Sequence, residues 1–186
     1  MRYKEHPISD AFRDEWSDLL RDALETIGCL PLDTIEKTEQ RFFECIARFE
    51  KTFKRYNLDQ QMTLLFELGA VLAHLYIEMH SWHWACATDK KKRQFFFLSS
   101  SDNKFIMQPW ALIRSCLRRA NRKVLLRQVL CIPVFLELRD DKSEDDEFLG
   151  SQMITIETVY SLHRELSRLA SGSEETREAI MDEGLL

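Results

Sequence analysis

The chain has 186 residues and a formal net charge of −5, with 45% hydrophobic and 31% charged residues. This length and composition predict one globular domain over residues 1–186, and they exclude a disordered chain. Five glycines and four prolines also exclude collagen-like and low-complexity classes.

Three helices are predicted in the first 80 residues. The first spans 10–27, because apolar residues recur there every three or four positions and Gly28 follows its end. The second spans 33–56, with Asp33 as the cap of a capping-box-like start. The third spans 60–79 and begins after the candidate cap Asp59.

The third predicted helix is apolar on nearly all sides, as is typical of a central helix. Glu67 interrupts its apolar run, and His74 and Glu78 follow, so we interpret it as a core helix and not as a membrane span. Gly69 lies in its interior, where glycine costs about 1 kcal/mol relative to alanine. Close approach of another backbone would compensate for that cost.

A three-stranded antiparallel meander is predicted over 82–107, because short apolar runs alternate there with polar turns. Trp82, Trp84 and Cys86 should lie on one side of its first strand. Pro109 then begins a basic helix over 109–127. The remaining predicted elements are a strand at 129–138 and a helix at 154–170. The predicted fold class is therefore α+β, mainly helical, with a small antiparallel sheet of about three to four strands packed by helices.

Charge is unevenly distributed along the chain. Residues 90–127 contain eleven Lys or Arg and one acid, a net charge of +10, so the remainder carries −15. Five basic side chains of the predicted helix form a candidate anion-binding set: Arg114, Arg118, Arg119, Arg122 and Lys123. Such a row is typical of phosphate contacts, but acidic segments of the fold or of a homodimer would neutralise it equally well.

A second charged segment is acidic. Six acids predict an exposed loop that docks a basic partner: Asp140, Asp141, Glu144, Asp145, Asp146 and Glu147. The segment lacks the glycine that an EF-hand loop needs at its sixth position, so calcium is not expected.

Histidine and cysteine occur close together at His74, His80, His83 and Cys86. Their spacing places the two helical histidines about 120° apart around the helix axis, and His83 and Cys86 on opposite faces of a strand. We therefore predict no metal site, no cofactor and no catalytic residue. A small hydrolase or thiol enzyme around His80, His83 and Cys86 is the enzymatic alternative.

Aromatic residues are concentrated in the meander and after it. Trp82, Trp84 and Trp110, with Phe95–Phe97, would form either an exposed binding face or part of the core, and core packing is the favoured interpretation. The five cysteines include no CxxC pair, and the charged N-terminal segment lacks the apolar region of a secretory signal, so free thiols and a cytoplasmic location are expected.

The middle of the chain resembles a family of small bacterial α+β domains of unknown function that are similar to immunity proteins. The resemblance covers residues 59–120 and lies in Leu68-Gly69, Trp82-x-Trp84 and Ile106-x-x-Pro109 with Ile113. It implies a short α+β protein without catalytic residues and, among related layouts, neutralisation of a bacterial toxin.

The function predicted from these observations is non-enzymatic binding of another protein, and the most specific version is an immunity protein that neutralises a basic toxin. No membrane association is expected. The alternatives are a nucleic-acid-associated regulator that uses the basic helix 109–127 and the enzyme described above.

Overall fold

The computed structural model describes residues 5–6, 8–29, 33–88, 92–117, 129–130, 132–133, 152–155, 158–162, 164 and 168. The helices and strands whose bounds are described are, in chain order, β1 (Glu5–His6), α1 (Asp10–Ile27), α2 (Ile35–Thr52), α3 (Leu58–His80), β2 (His83–Thr88), β3 (Gln94–Ser99), β4 (Phe105–Met107), α4 (Pro109–Leu117) and β5 (Gln152–Met153). A 3-10 turn (Phe53–Arg55) extends α2. The α+β fold class is confirmed.

Helix α1 has the predicted bounds because both of its ends carry strong local signals. The Ser9 hydroxyl accepts a hydrogen bond from the Phe12 amide at 3.2 Å. Gly28 adopts the left-handed conformation, with φ at 77°, and its amide donates to the Glu25 carbonyl at 2.9 Å.

The predicted caps of α2 and α3 were wrong by one and two residues. Thr34, not Asp33, caps α2 and accepts from the Lys37 amide, while Asp33 accepts a hydrogen bond from Lys37 Nζ at 2.7 Å. Asn57, not Asp59, caps α3 through a reciprocal capping box with Gln60. Asp59 lies instead in the first turn, where its negative charge interacts favourably with the positive end of the helix dipole.

Helix α3 is the central element of the described fold. It packs against α1, α2 and α4, and its side chains from Leu64 to Tyr76 are almost all buried. By length and apolar composition alone, it is the one helix in the described ranges that could cross a membrane. Gly69 makes the predicted close approach, since a Cβ there would lie 3.0 Å from the backbone nitrogen of Trp110.

The meander predicted over 82–107 is confirmed, because β2, β3 and β4 pair consecutively and antiparallel. Two strands of two residues extend it, β1 antiparallel to β2 and β5 parallel to β4. The register places Trp84 beside Leu98, and Leu98 beside Met107, on the face that joins the main core. The opposite face carries a second buried cluster, namely Ala85, Ala87, Phe97 and Ile106.

The predicted strand at 129–138 was wrong wherever the structure describes it. Residues 129–130 and 132–133 are helical and buried, and the Tyr76 hydroxyl donates a hydrogen bond to the Val129 carbonyl. An apolar run that is buried on all sides carries no period that separates a strand from a helix. Residues 134–138 lie outside the described ranges.

The last predicted helix, 154–170, begins later than expected. The amide of Ile154 donates to the Ile106 carbonyl at 2.8 Å and so continues the sheet edge, whereas the residues from Thr158 onward that the structure describes are helical. Val159 and Leu162 are buried in the core. Of the basic helix 109–127, the structure describes α4, with Ile113, Cys116 and Leu117 buried among others.

Gly69→Ala is expected to lower the free energy of unfolding by about 1 kcal/mol. The added Cβ meets the Trp110 backbone, and such overpacking costs about 1–3 kcal/mol, which exceeds the helix-propensity gain of about 1 kcal/mol. Urea denaturation measures the change. Thr63→Ala, at an exposed position of the same helix, is the control, and its gain in helix propensity should raise stability by no more than about 0.7 kcal/mol. A stabilised Gly69→Ala protein would contradict the contact.

Candidate functional site

The predicted charged sites lie largely outside the described ranges. All six acids of the partner-binding loop do so: Asp140, Asp141, Glu144, Asp145, Asp146 and Glu147. Of the anion-binding set, Arg118, Arg119, Arg122 and Lys123 also lie outside, and Arg114 is exposed near the end of α4. Both sites remain predictions.

The histidine and cysteine side chains do not assemble where the structure describes them. His83 and Cys86 fall on opposite faces of β2, as predicted, since His83 pairs with Ser99 and Cys86 with Phe96. No group of three or more His, Cys, Asp or Glu able to hold a metal occurs within the described part of the chain. Burial lowers the pKa of His74.

The four described cysteines, Cys29, Cys45, Cys86 and Cys116, are free and buried. Burial raises the pKa of Cys45 to about 11 and that of Cys116 to about 12. Burial likewise raises the pKa of Cys86. Because the thiolate is the nucleophile, each of these shifts lowers thiol reactivity at neutral pH.

Six aromatic side chains form a continuous path from ring to ring, which we call the aromatic strip: Phe12, Trp16, Phe66, Trp84, Phe96 and Trp110. They come from five elements, α1, α3, β2, β3 and α4. Five are half-buried, and Phe66 keeps 39% of its surface exposed. Phe12 and Trp16 are one turn apart on α1, so both rings reach the same neighbour.

Trp84 is the centre of the aromatic strip. Its ring lies 4.6 Å from Trp16 and 5.5 Å from Phe12, both edge-on, and it stacks at 6.1 Å on Trp110. Phe12 in turn stacks on Phe96 at 4.0 Å, and Trp110 lies 5.7 Å from Phe66. The four separations that involve Trp84 or Trp110 fall within the range of about 4.5–7 Å in which aromatic pairs attract, and the Phe12–Phe96 pair is closer.

The indole N–H of Trp84 is buried and has no hydrogen-bond acceptor among the described residues. An unsatisfied buried donor costs about 1–3 kcal/mol. The indole at the centre of the strip is thus a polar group that the described fold leaves without a hydrogen bond.

Core packing, the favoured interpretation of the meander aromatics and Trp110, thus holds for only some of them. Trp84 and Trp110 belong to the strip, whereas Trp82 and Phe97 are buried in the core. Phe95 lies on the opposite sheet face, where the Arg93 guanidinium sits 5.6 Å above its ring. Phe12, Trp16 and Phe66 were missed, although the spacing of four between Phe12 and Trp16 is a signal that the sequence carries.

A concave feature separate from the strip, which we call the helix cleft, lies among α1, α2 and α3. It has a volume of about 360 Å³. It is lined by side chains from the three helices and their connection: Thr26, Phe49, Tyr56, Asn57, Asp59, Gln60, Thr63, Leu64 and Glu67. Burial raises the pKa of Glu67, a hydrogen bond from Thr26 opposes that shift, and the nearby Asp22 carboxylate adds to it.

No family model, no curated protein and no solved structure matches this chain. The resemblance of residues 59–120 to immunity-like domains accordingly stays a prediction.

Glu67→Gln is expected to raise the free energy of unfolding at pH 7. Since burial raises the pKa of Glu67, the folded protein holds this proton to a higher pH than the unfolded chain, and the carboxylate destabilises the fold as pH rises above the ordinary value of 4.5. Denaturant unfolding at several pH values tests this, and the stabilisation should vanish below about pH 4. If Glu67→Gln stabilised the protein more in acid than at pH 7, the pKa of Glu67 would be shifted in the opposite direction.

Proposed function

We propose that this chain is a non-enzymatic, cytoplasmic protein that binds another protein through the aromatic strip. The observation that carries the proposal is the strip itself, a continuous set of six partly exposed rings drawn from five elements. Large aromatic side chains dominate the energetics of protein interfaces, where they fill the desolvated centre of the contact. Phe66, the most exposed ring, is the natural anchor.

The charge of α1 supports a basic partner. Its exposed residues include two arginines and six acids: Asp10, Asp14, Glu15, Asp18, Asp22 and Glu25. The same helix contributes Phe12 and Trp16 to the strip. By helical spacing, Glu15 and Asp22 are the acids nearest to that side of α1, and the other four lie toward its opposite side. Complementary charge speeds the encounter of two proteins and suppresses wrong partners.

The most specific version of this proposal is an immunity protein that neutralises a bacterial toxin. In that mechanism the acids of α1, together with the predicted acidic loop at 140–147, attract a basic toxin, and the strip seals the contact over its active site. The low reactivity expected of Cys86, on the face opposite His83, supports binding over thiol chemistry.

Phe66→Ala is expected to weaken partner binding about 30-fold or more, because truncation of an interface anchor costs about 2 kcal/mol or more. The partner is captured from the native host, identified and purified, and the binary affinity is then measured by calorimetry. Met79→Ala is the matched control, since Met79 lies on the same helix and is 41% exposed against 39% for Phe66.

The control variant should bind within twofold of the unchanged chain. The strip is not the interface if Phe66→Ala binds as tightly as Met79→Ala while both remain folded. Failure of every captured protein to form a saturable binary complex would contradict the binding function as a whole.

Expression of a toxin-like reading frame neighbouring this gene is expected to arrest growth, and co-expression of this chain should restore it. Phe66→Ala should restore growth less well than Met79→Ala, because the strip supplies the affinity. Colony counts with and without induction measure the effect. If the neighbouring product is toxic and this chain gives no protection, the immunity version is wrong.

A further inference from the structure

We infer that the helix cleft binds the guanidinium group of an arginine side chain presented by the partner protein. The inference rests on the proposed function for its source of arginine. It adds a second and polar contact point to the aromatic strip.

The size of the cleft fits a side chain and not a large cofactor. Its volume of about 360 Å³ is at the lower end of the range for small-molecule pockets, about 300–1,000 Å³. Thr26 of α1, Phe49 of α2 and Thr63 of α3 mark its three walls. An extended arginine side chain can enter such an open cleft from an adjacent protein surface.

The described side chains that line the cleft include two acids and no basic residue. Asp59 and Glu67 line it, and neither forms an ion pair with another described residue. Asp22 of α1 lies close enough to act electrostatically on Glu67. A guanidinium would therefore neutralise carboxylates that have no cationic partner among the described side chains.

The N-terminus of α3 also lies at the cleft, but its polar groups do not favour an anion. The backbone N–H of Gln60 donates to Asn57 Oδ1 at 2.9 Å, and the backbone N–H of Asn57 donates to Gln60 Oε1 at 3.1 Å. This capping box satisfies two of the backbone donors that an anion would otherwise use. The carboxylates of Asp59 and Glu67 remain, and they select a cation.

The aromatic wall favours arginine over lysine. Phe49 and Tyr56 lie 6.2 Å apart between their ring centroids and are tilted by 60°. A planar guanidinium stacks on an aromatic face and offers several donors to carboxylates, whereas an ammonium is a compact and strongly hydrated point charge.

The cleft and the strip both include residues of α3. Phe66 of the strip is followed in sequence by Glu67 of the cleft, and Thr63 of the cleft lies three residues before Phe66, on the same side of α3. One partner surface can therefore occupy both features.

The test is an NMR titration of the full-length ¹⁵N-labelled chain with N-acetyl-L-arginine amide. Saturable shifts are expected for residues that line the cleft, such as Thr26, Tyr56 and Thr63. The uncharged isostere N-acetyl-L-citrulline amide should cause no saturable shift. N-acetyl-L-lysine amide should bind at least threefold more weakly than the arginine derivative.

Asp59→Asn and Glu67→Gln are each expected to weaken arginine binding at least threefold. Glu78→Gln is the matched control, because Glu78 is an exposed acid of the same helix, eleven residues from Glu67 and so about 16 Å along the helix. It should change the affinity less than 1.5-fold. Equal shifts with citrulline, equal affinity for lysine, or equal effects of Glu67→Gln and Glu78→Gln would each overturn the inference.

Failure of this inference is distinguishable from failure of the proposed function. The titration needs no partner, so arginine binding can be absent while Phe66→Ala still weakens the protein complex. Conversely, the cleft can bind arginine while the Phe66→Ala variant binds the partner as tightly as the unchanged chain. That result would support the arginine site and would exclude the aromatic strip from the interface.

Discussion

The approach of the Trp110 backbone to Gly69 is the contact on which the arrangement of the described surface depends. Because Gly69 has no side chain, α4 begins directly against the central helix. The Trp110 ring then reaches Trp84 on one side and Phe66 on the other. A larger residue at position 69 would move α4 outward and separate the two halves of the strip. A packing constraint in the core thus determines the geometry of the surface.

The sequence predicts the fold best where a single local signal dominates. Gly28 ends α1 because left-handed backbone favours glycine, and no competing residue lies nearby. At the starts of α2 and α3, two residues suited to capping lie within two positions of each other. Asp33 was predicted where Thr34 caps α2, and Asp59 was predicted where Asn57 caps α3. Propensity ranks such residues almost equally, whereas tertiary packing decides which turn is the first. The strands β1 and β5 are too short for any period-2 pattern.

The candidate site was less predictable because its members are distant in sequence. Phe12 and Trp84 are 72 residues apart, and only the docking of α1 on the sheet brings their rings together. The residue types alone indicate aromatic clustering in the meander, which is why Trp84 and Trp110 were recognised. Whether Trp82 or Phe66 faces solvent depends on neighbours from other elements, and no local pattern encodes that. The same holds for the meeting of Thr26 and Glu67 at the cleft.

The buried thiols of Cys45 and Cys116 allow local opening of the native protein to be measured by thiol labelling. Both lie within the packed helical core and resist ionisation in the native state. A thiol reagent can therefore modify them rapidly only after α2 or α4 has separated from α3, so the labelling rate follows the population of opened molecules. The two sites report on different helix contacts, which allows local separation of one helix to be told apart from global unfolding without an introduced probe.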